Sequence, residues 1–299
     1  MFSDTITITQ PTVLTSSVLS VDSVSCNGGS DGSAVVSGFG GTSPYSYSWD
    51  NSQVGQQLQS VSAGTYLCTI TDSNSCQTTQ LVSVNEPTVL VLSILSVDSV
   101  SCNGLSDGGA SVLASGSTPS YSYQWSNGQT GTQLQNVSSG NYSCTATDYN
   151  GCQQTVLVTV KQPDILSSVI QNVDSVLCYG QSNGGGSIIA QGGTSPYSYS
   201  WDNGQVGPIL QNVSAGSYVC TITDQNSCVT TRTLTVDEPD DLLVTLSKIN
   251  ITCNGLSDGQ AFASVTGGTP SYTYLWSNGG NSAAVGSLPL GSYLSLIHI

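Results

Sequence analysis

The sequence predicts an all-β protein, made of tandem β-sandwich repeats of about 76 residues strung into an elongated rod. Three observations carry that expectation. First, one Cys-containing, Gly-rich turn appears four times: V-S-C-N-G-G-S-D-G-S-A at Val24–Ala34, V-S-C-N-G-L-S-D-G-G-A at Val100–Ala110, V-L-C-Y-G-Q-S-N-G-G-G at Val176–Gly186 and I-T-C-N-G-L-S-D-G-Q-A at Ile251–Ala261. Second, the period is regular. Cys26, Cys102, Cys178 and Cys253 are 76, 76 and 75 residues apart, and so are Trp49, Trp125, Trp201 and Trp276. Third, the segments between turns are short and β-favouring, and none has a helical period. A fixed period means copies of one module, not one large fold.

Within the first copy the expected strands are A over Val18–Cys26, B over Ser33–Ser37, C over Tyr45–Trp49, E over 56–61, F over Thr65–Thr71 and G over Gln77–Val84. Asn27-Gly28 turns A into B, and Gly40-Gly41-Thr42-Ser43-Pro44 turns B into C. In C, alternation puts Tyr45, Tyr47 and Trp49 on one face and Ser46 and Ser48 on the other. In F it groups Tyr66, Cys68 and Ile70. Strand G runs through Glu86-Pro87 straight into the next strand A, and a proline in so short a joint restricts hinge freedom.

These marks divide the chain into 1–11, the last strand of a preceding repeat; 12–87, 88–163 and 164–239, three full repeats; and 240–299, a partial fourth repeat with an aberrant tail. Ile6-Thr7-Ile8-Thr9-Gln10-Pro11 matches the module endings Leu81–Pro87 and Leu234–Pro239, whereas Ser295-Leu296-Ile297-His298-Ile299 departs from the module pattern. Both marks suggest a piece of a longer chain.

Composition excludes several function classes. Three Lys+Arg against 18 Asp+Glu leave a net charge of −15. That argues against nucleic acid, which is held by clustered cations, and against anionic membrane surfaces. No stretch approaches 18 apolar residues, so no membrane insertion is expected. Charged residues are 7% and hydrophobic ones 37%, which is not a disordered composition. Ten cysteines in register point to an oxidising, exported location, although residues 1–7 have no basic or apolar signal region.

The combined pattern C-N-G-x-S-D-G, G-G-T-x-P-Y-x-Y-x-W, A-G-x-Y, T-D-x-N-x-C and E-P resembles the SprB repeat and covers nearly the whole chain. The resemblance implies an immunoglobulin-like repeat of giant surface adhesins in gliding Bacteroidetes, exported by the type IX secretion system. Family copies usually carry Val where Cys68, Cys144 and Cys220 stand here, and the family's C-terminal secretion domain has no counterpart in this sequence.

In an A-B-C-E-F-G sandwich the A–B and F–G turns are expected at one end, so the expected disulfides are Cys26–Cys76, Cys102–Cys152 and Cys178–Cys228. Each would stabilise by roughly 4 kcal/mol on the chain-entropy model. Cys68, Cys144, Cys220 and Cys253 are left unpaired or cross-linking. The first three are read either as small buried hydrophobes behind a tyrosine corner or as links between chains.

Gly28-Gly29-Ser30-Asp31-Gly32 fits the hydrolase elbow G-x-S-x-G only in letters. The elbow needs a following helix and a His partner, and the one histidine is His298. No enzyme is expected, and no cofactor. A Ca²⁺ site using Asp31 with Asp72 or Asp50 is a weaker reading, because Ca²⁺ takes six or more oxygens. Asp22-Ser23-Val24, Asp98-Ser99-Val100 and Asp174-Ser175-Val176 resemble Bacteroidetes O-glycosylation sites at Ser23, Ser99 and Ser175. Asn136, Asn141, Asn212 and Asn250 fit the weaker N-glycosylation pattern.

The expected function is an extracellular structural or adhesive repeat protein of a cell-surface filament. Its partners would be neighbouring copies of itself, in a filament or surface layer, and surface polysaccharide. The competing expectation is an array of carbohydrate-binding modules, with the Tyr45–Tyr47–Trp49 stripe as a stacking platform.

Overall fold

A computed structural model describes residues 2–299. Among them there is no helix, and every strand pairing is antiparallel. The chain divides into two compact units, residues 2–100 with 104–162, and residues 101–103 with 163–299.

The first unit holds two sandwiches. In repeat 1 the strands are β1 (Thr15–Asp22), β2 (Gly32–Phe39), β3 (Ser46–Trp49), β4 (Gln57–Val61), β5 (Gly64–Thr71) and β6 (Gln77–Val84). They form two sheets, β1-β2-β4 and β3-β5-β6, which are A-B-E and C-F-G in immunoglobulin lettering. Alternation produces the core: along β2 every second residue is buried, and Ala34 and Val36 meet Trp49, Cys68, Ile70, Val82 and Val84 from the other sheet. Repeat 2 repeats the design with β7 (Val91–Asp98), β8 (Gly108–Ser115), β9 (Ser122–Trp125), β10 (Gln133–Val137), β11 (Gly140–Thr147) and β12 (Gln153–Val160). Its core centres on Trp125, Leu134 and Val158.

The second unit holds repeat 3, with β13 (Ser167–Asp174), β14 (Gly184–Gln191), β15 (Ser198–Trp201), β16 (Ile209–Val213), β17 (Gly216–Thr223) and β18 (Val229–Val236). It also holds repeat 4, with β19 (Leu243–Ile249), β20 (Gly259–Thr266), β21 (Thr273–Trp276), β22 (Ala284–Leu288) and β23 (Ser295–His298). Repeat 4 has its A-B-E sheet, β19-β20-β22, but only the pair β21-β23 opposite. No strand G is present among its described residues.

Three expectations need correction here. Strand A ends at Asp22, four residues before Cys26, because Val24 turns inward and donates its amide to Asn85 O at 2.8 Å. The tail 295–299 is not aberrant in structure. It takes the strand F position, with Trp276 opposite Ser295 as Trp49 is opposite Cys68. Alternation explains this, since Ile297 packs on the core while Leu296 faces out. The last strand of a preceding repeat, expected within 1–11 on Ile6–Pro11, is not formed: residues 2–11 belong to no strand and are exposed.

Candidate functional site at the repeat joints

The two ends of each sandwich carry different turns. At one end the A–B turn meets the close of strand G: Asn27 Nδ2 donates to Pro87 O at 3.0 Å, and Gly28 N donates to Glu86 Oε2 at 2.7 Å. Gly28 has φ +75°, which is why a glycine stands there. Asp31 closes the turn by accepting from Ser25 N at 3.0 Å, and bonds from Ser25, side chain first, hold its carboxyl below the usual range.

At the other end the F–G turn meets the B–C loop. Asp72 is buried, and its carboxylate accepts from Asn74 N, Cys76 N and Thr42 N, each at 2.9 Å. The Thr42 amide leads in holding its carboxyl below the ordinary value. Asp148 does the same for Asn150, Cys152 and Thr118, and its carboxyl is lowered chiefly by the Ser117 hydroxyl. Asp224 repeats the cage around Asn226, Cys228 and Thr194. The T-D-x-N-x-C motif is thus a self-caging turn that presents its Cys outward.

This polarity overturns the expected disulfides. Cys26–Cys76, Cys102–Cys152 and Cys178–Cys228 would each have to join opposite ends of one sandwich. Instead Cys26 bonds Cys152 and Cys102 bonds Cys228, with Cα atoms 5.7 Å apart in both. Each bond joins the A–B turn of one repeat to the F–G turn of the next. The separation of 126 is the 50 residues from Cys26 to Cys76 plus one period of 76. The reason is connectivity: strand G ends beside its own A–B turn, so the next module begins there and brings its F–G end to that point. Asn150 Nδ2 donates to Ser25 O at 3.0 Å, and Asn226 Nδ2 to Ser101 O at 2.9 Å, beside the two bonds. Closing a loop of this length stabilises by about 5 kcal/mol on the chain-entropy model.

Cys68, Cys144 and Cys220 are completely buried opposite their tryptophans. Burial pushes their thiols up, so they stay protonated. Of the two readings, the buried hydrophobe is the one the packing supports. The tyrosine corner is present: Tyr66 Oη donates to Ser62 O at 2.9 Å, and Tyr142, Tyr218 and Tyr293 make the same bond four residues back. Cys76, Cys178 and Cys253 are exposed free thiols.

The remaining candidates separate. Asp31, Asp50 and Asp72 are each engaged with different backbone amides, Asp50 with Leu67 N at 3.1 Å, and no three His, Cys, Asp or Glu gather among the described residues. The aromatic stripe faces inward: Trp49 is buried, and Tyr45 and Tyr47 pack on the same core. Tyr45 Oη donates to Gly40 O, and Tyr47 Oη accepts from Gly38 N. Ser23, Ser99 and Ser175 are exposed, each between the end of strand A and a buried valine. The Gly28–Gly32 stretch leads into a strand, with no helix following. No helix is long and apolar enough to cross a membrane.

The Asp cage and the Glu86, Gln162 and Glu238 contacts to the A–B turn escaped sequence reasoning. Their signals, T-D-x-N-x-C and the Glu/Gln-Pro pair, were visible as recurrences without a partner.

None of the curated proteins compared with the chain matches it. Among solved structures, it is similar to Dpr2 Ig1-Ig2 in a complex with DIP-Theta Ig1-Ig3, at 16% identity and TM-score 0.28, over 75% of this chain and 99% of that one. It is similar to the N-terminal eight Ig domains of Down Syndrome Cell Adhesion Molecule, at 16% identity and TM-score 0.28, over 89% of this chain and 41% of that one. It is also similar to domains 4-9 of surface layer protein SbsC, at 13% identity and TM-score 0.24, over 80% of this chain and 49% of that one. Scores this low carry nothing about function. The sequence model of the SprB repeat matches at 18–54, 94–130, 170–206 and 245–281, once in each repeat. Four matches at one period, on four sandwiches of one design, place the chain in the SprB repeat family.

Proposed function

We propose that the chain is an extracellular, cell-surface adhesive repeat protein, with its modules serving as a stapled spacer in a surface filament. The observation that carries this is the pair of disulfides from the A–B turns of repeats 1 and 2 to the F–G turns of repeats 2 and 3, because such bonds persist in oxidising surroundings and staple those two joints covalently. Membership in the SprB family supports export by the type IX system and a place in gliding or adhesion. Neighbouring copies are the partners, and Ser23, Ser99 and Ser175 are positioned for O-glycosylation. The protein works by binding and spacing, not by catalysis.

Labelling intact producing cells with an impermeant amine or thiol reagent tests the location. Labelled chain on unbroken cells is expected; labelling only after lysis would overturn it. A carbohydrate-binding array is disfavoured, since its stacking residues lie against the core. Retention on a glycan array in the absence of any filament would reverse that preference. Intact-mass steps of a hexose on the secreted chain would establish glycosylation, and a single unmodified mass would remove it.

A further inference from the structure

The two disulfides each span 126 residues, which is longer than the repeat period of 76. Their loops therefore overlap. Cys26–Cys152 closes residues 26–152, Cys102–Cys228 closes 102–228, and the segment from Cys102 to Cys152 belongs to both. Bonds within single repeats, such as Cys26–Cys76 and Cys102–Cys152, would leave a single thread of chain between one loop and the next. Covalently, the two disulfides are instead two nodes. Three chain segments run between them: 26–102, 102–152 and 152–228, of 76, 50 and 76 residues.

We infer that the overlapping staples make residues 26–228 a triply connected tether, which survives backbone cleavage and is limited in forced extension. Survival follows from the connectivity. Hydrolysis of one peptide bond in any segment adds one water and leaves a new carboxylate and a new amine, and the other two segments still join the nodes. Cuts in two different segments also leave one covalent body. Only cuts in all three divide it, with Cys26 staying on Cys152 and Cys102 on Cys228. The exposed loops give this a use. The loop after each strand C is mostly exposed and holds a positive φ, at Ser52, Gly128 and Gly204, and one such loop falls in each segment. Val54 and Val206 in these loops are both 79% exposed. Exposed loop tips are where proteases nick folded chains.

The limit on extension follows from the shortest segment. Load that enters before Cys26 and leaves after Cys228 is shared by all three segments between the nodes. The nodes separate no further than the 50 residues from Cys102 to Cys152 allow, against 202 residues along the backbone from Cys26 to Cys228. An extended residue spans about 3.4 Å, so unfolding lengthens the stapled stretch to about 170 Å and the unstapled one to about 700 Å. The limiting segment carries β8, β9, β10 and β11 of repeat 2. The two longer segments are still slack when it is taut.

The inference goes beyond the surface spacer and shares with it only the oxidising surroundings. Trypsin tests it on the full chain, whose three basic residues are Lys161, Arg232 and Lys248. The oxidised chain is unfolded in urea, its free thiols are alkylated, and it is digested. Lys161 lies in the third segment, and the other two lie beyond Cys228. The expected unreduced product holds 1–161 and 162–232 in one species, which separates on reduction. Val54→Lys adds a cut in the first segment and Leu105→Lys one in the second, both at exposed positions. Either variant alone should still keep Cys26 and Cys228 in one species. The double variant should give two, 1–54 with 106–161 and 55–105 with 162–232. Separation of Cys26 from Cys228 in the parent chain or in either single variant, or one species from the double variant, would each overturn the inference. Single-molecule stretching reads the limit: reduction should lengthen the fully unfolded chain by about 500 Å, the contour of the residues set free. Equal lengths with and without reductant would overturn it. None of these outcomes touches the surface location, which the labelling of intact cells decides separately.

Discussion

Val24 and Ala34 are buried in repeat 1, whereas their counterparts Ile251 and Ala261 in repeat 4 are only partly covered. The two repeats share the A–B turn, the tryptophan, the tyrosine corner and the same A-B-E sheet. They differ in strand G. Val82 and Val84 close the core of repeat 1, while the core of repeat 4 is reduced to Ala263, Trp276, Val285 and Leu288. Burial of a valine side chain stabilises by roughly 1.5–3 kcal/mol, so one missing strand outweighs any single side-chain difference between the repeats. The comparison teaches that a module's turns and sheets form from its own sequence, but its core is completed only by its last strand.

The largest effect that would sharpen this contrast is covalent. Reducing the chain should lower the unfolding midpoint of the stapled repeats by the equivalent of about 5 kcal/mol per bond and leave repeat 4, which has no staple, unmoved. Denaturant melts resolved by hydrogen exchange of peptides from each repeat make the measurement. A non-reducing digest that yielded Cys26–Cys76 would break the assignment outright.

Next in size is the core. Trp125→Ala should cost roughly 3–5 kcal/mol in repeat 2, and Trp276→Ala distinctly less, because an open groove already lies beside it. Equal losses in denaturant titrations would mean that repeat 4 is as well packed as the others. A smaller effect is expected from Gly32→Ala, which overpacks against Val84 and should cost roughly 1–3 kcal/mol, compared with Gly259→Ala, which meets no strand G. Melting temperatures of the two variants decide it.

The smallest effect is a pH dependence. The carboxyls of Asp72 and Asp148 are lowered in the folded state by the amide and hydroxyl donors of their cages. A group depressed on folding contributes stability above its unfolded pKa and loses it as pH falls through the folded value. Repeats 1 and 2 should therefore lose stability below about pH 4, the ordinary carboxylate range. Repeat 4 carries Ile299 at the cage position and lacks this contribution. Thermal melts of wild type and Asp148→Asn between neutral pH and pH 2 should converge at the acid end. A constant offset would show that the carboxylate charge plays no part.

The repeat period, the strands and the tyrosine corner were legible in the sequence because they are local: alternation, Gly turns and a Tyr two residues before a Cys need no distant partner. The end of strand A was placed four residues late because Val24 alternates correctly but is turned out of the strand by the Asn85 carbonyl. The tail looked foreign letter by letter, yet it kept strand F alternation where it meets the core, with Ile297 inward and Leu296 outward.

By itself the sequence determined that three full copies and a partial fourth of one six-strand design exist, where their turns lie and which cysteines recur. Only the tertiary structure decided which cysteines meet. The end at which a turn lies depends on how many reversals precede it, and the short segment between strands C and E folds back on C, with Val54 bridging Ser48 antiparallel, which adds one reversal beyond those of the six named strands. The A–B and F–G turns therefore fall at opposite ends of one module, and contact is made across the joint to the next.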